Sequence, residues 1–189
     1  MLAQHAMEER GRRSVGAVAA RFTRDHPDKV RALVLVDSYG LGPFRPTVMF
    51  ALALIGFMVR PTERTQERVF RRCFVDLDGL REEVGESWAP MVAYTLDRAR
   101  TPSQQAALRS VMPKLAMPAI PPADLARIAV PTTLIWGRHD QQVRLRVAEA
   151  ASARYGWPLH VIEGAADDPA YEQPHAFLRA LRSAPGVDA

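Results

Sequence analysis

Two loops of this sequence hold most of its side chains capable of chemistry. RHDQQV sets His139 beside Asp140, and EGAADDPAYEQPHAF sets Asp167 beside Asp168, with His175 further on. Carboxylates of this kind can hold a hard divalent cation, or serve as bases near neutrality if burial raises their pKa from about 3.9. In loops they also form turns with their own backbone, and that reading stays open for all three aspartates. Ser14 opens an apolar pattern, a position where serine caps a helix N-terminus. Asp37 follows an apolar run and fits a cap on its own turn. The other histidines are dispersed: His5 in a charged segment, His26 in the turn HPDK, and His160 in a strand-like run. No metal and no cofactor are expected.

Composition limits the classes of protein this chain could be. Its 189 residues suit one domain, or one domain with an inserted subdomain. A 48% hydrophobic content supplies a sizeable core and argues against general disorder. The net charge is +4, and arginine provides almost all of the cations, since Lys29 and Lys114 are the only lysines. The arginines are scattered, with no long basic run and no zinc-finger or aromatic-basic pattern, so nucleic-acid binding is not expected. Cys73 is the only cysteine, which rules out an intrachain disulfide and fits a cytoplasmic location. MLAQHAMEERGRRS lacks the apolar core of a signal peptide. The longest apolar run, VMFALALIGFMV at 48–59, is shorter than the roughly 20 residues a membrane span needs. It predicts a buried or interfacial helix, and no membrane span.

The elements that must position these residues alternate. SVGAVAARFTRDH predicts a helix with Val15, Val18, Ala19 and Phe22 on one face, ended by Pro27. Residues 30–36 form a β-branched apolar run, the pattern of a strand buried on both faces. Residues 43–120 are helical and proline-punctuated, with Met49, Met58, Met91, Met112 and Met117 among them. MPAIPPADL predicts a hinge and a short helix over 122–128. A strand follows at 130–137, a helix at 145–155, a strand at PLHVIEG, a loop at AADDPAYEQ, and a last helix with Pro174 in its first turn. Strands alternating with helices imply a parallel sheet covered by helices.

Three of these stretches resemble the α/β-hydrolase superfamily. SVGAVAARFTRDHPDKVRALVLVDSYGL resembles its nucleophile helix and next strand. PTTLIWGRHDQQV resembles the strand and loop that deliver the triad acid, and LHVIEGAADDPAYEQPHAF the histidine loop. The resemblance implies a partial α/β-hydrolase fold: a parallel sheet flanked by helices, with an inserted helical cap. The core would comprise 1–42 and 121–189, with 1–13 unassigned, and the cap 43–120. It places Ser14 at the nucleophile position and Asp140 at the acid position, with Asp37 an alternative acid. Gly16 supplies one small residue beside the nucleophile turn; the other position is Arg12.

At the position of the triad histidine this sequence has Asp167. Aspartate is a much weaker base than imidazole near neutrality. Loss of the histidine in a serine protease costs on the order of a millionfold in turnover. His139 is the best-placed substitute, although neighbouring side chains point in different directions. The resemblance also starts only at Ser14, so earlier strands and one oxyanion donor have no counterpart. From these residues the expectation is a hydrolase of small apolar esters with weak or lost activity. The alternatives are a non-catalytic ligand- or protein-binding protein and a truncated piece of a longer hydrolase. The methionines and 48–59 could line an apolar pocket or simply pack the cap onto the core. A strand over 30–36 without its neighbour would leave an exposed sheet edge open to self-association.

Overall fold

A computed structural model describes residues 15–186, except for the side chains at 115 and 116. Helix α1 spans 15–25 and is followed by a 3-10 turn at Pro27–Lys29. Strand β1 is Leu33–Val36. A helical block follows: α2 (Val48–Val59), α3 (Glu63–Cys73), α4 (Leu77–Val84), α5 (Trp88–Arg100) and α6 (Pro102–Val111), ending in a π turn at Met112–Ala116. The short α7 (Pro122–Leu125) leads to β2 (Thr132–Gly137), α8 (Arg146–Tyr155), β3 (Leu159–Ile162), the single turn α9 (Pro169–Glu172) and α10 (Pro174–Arg182). The α9 turn lies in a stretch whose sequence reads as loop. The remaining elements fall where the sequence predicts them, with β1 and β2 shorter at their starts, α7 shorter at its end and β3 shorter at both ends.

The three strands are parallel in the order β1-β2-β3, with Leu33 opposite Thr132 and Leu134 opposite Leu159. Every residue of β2 is buried, as a central parallel strand with both faces covered requires. Alternation divides the side chains between two cores. Leu33, Leu35, Leu134 and Trp136 pack with α1, α7 and α8. Ile135 and Ile162, with Val34 and Val36, pack with Ala176, Phe177 and Ala180 of α10. The helical block has its own core of Phe50, Phe57, Val69, Phe74, Leu77, Leu80 and Leu96.

Helix α1 reverses the face its sequence suggests. Val15, Val18 and Phe22 are exposed, while Ala17, Ala20 and Thr23 are buried. Close approach to the strands is the reason. A Cβ on Gly16 would lie 2.2 Å from Ser38 Oγ, so only small residues fit on the inner face. The larger residues are displaced outward.

Candidate active site at the carboxyl ends of the strands

Parallel α/β sheets bind ligands beyond the carboxyl ends of their strands. All three strands here end in aspartate-bearing loops. Asp37 follows β1, Asp140 follows β2, and Asp167 follows β3.

Asp37 is buried, with φ 41°, a left-handed conformation that aspartate tolerates better than most residues. The Gly137 N–H donates to its Oδ1 at 2.9 Å, which ties the end of β1 to the end of β2. This bond of the carboxylate thus bridges two strand ends, where the sequence suggests a cap on its own turn. Asp140 is also buried, and its Oδ1 accepts from the N–H groups of Gln142 (2.7 Å) and Val143 (3.0 Å). The sharp turn over 140–143 is thereby fixed by the aspartate itself.

Gln142 brings the two candidate site aspartates together. Its backbone bonds to Asp140, and its side-chain Nε2 donates to Asp167 Oδ2. On its other side, Tyr39 Oη donates to Gln142 Oε1 at 2.8 Å. A chain of hydrogen bonds thus runs from Tyr39 through Gln142 to Asp167, with Asp140 fixed at its base. The two loops lie close along their backbones as well. His139 N–H donates to Ala165 O at 3.0 Å and Arg138 N–H to Ile162 O at 3.1 Å. A Cβ on Gly137 would sit 2.0 Å from Ala166 O, so this crossing admits only glycine.

Glu172 holds the loop carrying Asp167 from the other side. Its carboxylate accepts from Ala166 N–H at 2.7 Å and Asp168 N–H at 3.4 Å, the residues on either side of Asp167. It also accepts from Val75 N–H in the helical block at 2.7 Å. Asp167 N–H itself donates to Cys73 O at 2.9 Å. Burial pushes the Glu172 carboxyl above its ordinary value, against the three N–H groups that favour its charged form. Asp168 is buried and precedes α9 directly, without capping it by its side chain.

Ser14, Arg12 and His5 lie outside the described residues. His139 is exposed although Asp140 beside it is buried, so adjacent side chains do point apart. His26 and His175 are exposed too, and His160 lies within 3.4 Å of Ser183 Oγ. Among the described residues no group of three or more potential ligands is placed to hold a metal. No described helix is long and apolar enough to cross a membrane.

A sequence model of the alpha/beta hydrolase family matches residues 14–180. Solved structures of similar fold include 2-hydroxy-6-oxo-6-phenylhexa-2,4-dienoate hydrolase from Rhodococcus sp. strain RHA1, at TM-score 0.70 and 20% identity over 88% of this chain and 59% of that one. Carboxylesterase CesB from Bacillus subtilis matches at TM-score 0.68 and 18% identity, over 92% and 57%. A membrane phospholipase A, described as a bacterial virulence factor, matches at 0.65 and 24%, over 89% and 55%. The chain therefore spans less than two thirds of the length of these structures. No curated protein matches it.

Proposed function

This chain belongs to the alpha/beta hydrolase family, and on that premise we propose a serine-type ester hydrolase of weak activity that acts on a small, apolar ester. Ser14 is the nucleophile, Asp140 stands at the acid position, and Asp167 occupies the place of the histidine. One observation carries the reading: Asp140 and Asp167, from loops after neighbouring parallel strands, meet through Gln142. The acid and histidine of a serine triad need that kind of adjacency. The helical block between β1 and β2 acts as the cap. Its support is the set of contacts it makes with the site loops: Cys73 O with Asp167, Val75 N–H with Glu172, and Thr47 N–H with Gln141 O at 2.8 Å.

The rate limit lies in the proton. A serine hydroxyl must lose its proton as it attacks the ester carbonyl, and aspartate accepts that proton poorly near neutrality. Asp167 also already accepts a hydrogen bond from Gln142. The carboxylesterase and the phospholipase named above suggest ester-type chemistry, and the apolar cap residues suggest an apolar acyl group.

A non-catalytic binding protein is the second reading, favoured by the exposure of His139, the best-placed substitute base, beside a buried Asp140. Hydrolysis of p-nitrophenyl butyrate by the purified chain, beside Ser14→Ala, separates the two. Slow turnover that disappears with Ser14→Ala supports the hydrolase. Turnover that persists in Ser14→Ala contradicts it, and none from a folded chain favours the binding protein.

A further inference from the structure

Helix α2 is uncharged over its whole length, VMFALALIGFMV. One of its faces is used for packing: Phe50 and Phe57 are buried, and Ala53 and Leu54 pack against the same core. The other is left to solvent. Val48, Met49, Leu52, Ile55, Met58 and Val59 are each between 54% and 80% exposed. Positions 48, 52, 55 and 59 repeat at helical spacing, so they form a stripe along a helix about 18 Å long. A contiguous exposed stripe of this kind marks an interaction surface.

Cations flank the stripe. Arg45 precedes the helix and Arg60 follows it directly; both are exposed, and neither joins an ion pair among the described residues. Apolar residues along the middle with arginines at both ends match a helix lying in the headgroup region of an anionic bilayer. A second copy fits less well. Antiparallel self-pairing of α2 about a two-fold axis would set the Arg45 end of one helix against the Arg60 end of the other, like charge on like.

The helix is attached to the candidate site. Thr47 caps α2 through a bond from Phe50 N–H at 3.2 Å. The same Thr47 bonds to Gln141 through its backbone N–H (2.8 Å) and its hydroxyl (3.1 Å). Gln141 stands between Asp140 and Gln142. The apolar stripe thus begins one residue beyond the rim of the aspartate pair.

We infer that the outer face of α2 docks this protein peripherally on anionic lipid surfaces, with the candidate site held at the membrane boundary. Docking is measured as binding, so it does not depend on whether Ser14 is active. The test is flotation of the full chain with phosphatidylcholine vesicles, with and without phosphatidylglycerol. The expected result is flotation with the anionic vesicles only. Leu52→Ser with Ile55→Ser should reduce it by about tenfold or more, and Arg45→Gln with Arg60→Gln by about fivefold per arginine. Circular dichroism confirms that each variant is folded; because these side chains are exposed, their replacement leaves the core intact. No flotation of the folded chain, equal flotation on neutral vesicles, or undiminished binding by both variants overturns the inference. A dimer in solution that Leu52→Ser with Ile55→Ser converts to monomer also overturns it, in favour of a second copy.

Discussion

Glu172 accepts hydrogen bonds from Val75, Ala166 and Asp168 together, so a single carboxylate fixes both the Asp167 loop and its contact with the helical block. Glu172→Ala leaves those N–H groups without an acceptor and should cost about 2–4 kcal/mol in unfolding free energy, measured by urea denaturation. Glu172→Gln keeps one acceptor oxygen and should cost about 1 kcal/mol. Its pH dependence has a definite sign. Burial raises the carboxyl pKa in the folded state, so the folded chain holds this proton more tightly than the unfolded chain. The associated stability is complete below the ordinary glutamate range and is lost as pH rises through the raised value. Glu172→Gln, which cannot titrate, should lack that component, so the gap between variant and wild type should change as pH rises above the ordinary glutamate range. A parallel pair of stability profiles would contradict this, since Asp168, the nearest charged neighbour, is present in both. Asp140 and Asp167 were legible in the sequence because each follows a recognisable strand. Gln142 and Glu172 were not, because their roles exist only once loops distant in sequence come together. The EQP that includes Glu172 was the one signal available.

At the scale of elements, the strands, their parallel sheet and the helical character of the segments between them could be read from alternation and periodicity. The inner face of α1 could not. Hydrophobicity alone selects Val15, Val18 and Phe22, but the close approach to the strands selects Gly16, Ala17 and Ala20. Gly16→Ala should therefore destabilise the chain by about 1–3 kcal/mol despite the better helix propensity of alanine. An unchanged midpoint in thermal unfolding would show that Ser38 moves aside at no cost. The short α9 was missed for a related reason. One helical turn has too little length to show a period, and it is held by the N–H groups of Tyr171 and Glu172 donating to Asp168 O.

Across the whole molecule, the described sheet has two edge strands, β1 and β3. Among the described residues β1 pairs only with β2. Leu33 and Asp37 donate their N–H groups toward β2, so the alternating Val34 and Val36 present theirs along the outer edge. Such an edge recruits another strand. Association that rises with concentration in analytical ultracentrifugation is expected, and Val34→Pro, which removes an outward donor only, should reduce it. Under the proposed function Ser14 is the nucleophile, Asp140 the acid, and Asp167 a poor substitute for the base. The most direct test of this central claim is the intact mass of the chain after exposure to a fluorophosphonate, comparing wild type with Asp167→His. The account predicts slow addition of one probe to wild type and addition about a hundredfold faster in Asp167→His, both abolished by Ser14→Ala. A folded Asp167→His chain labelled no faster than wild type would contradict it.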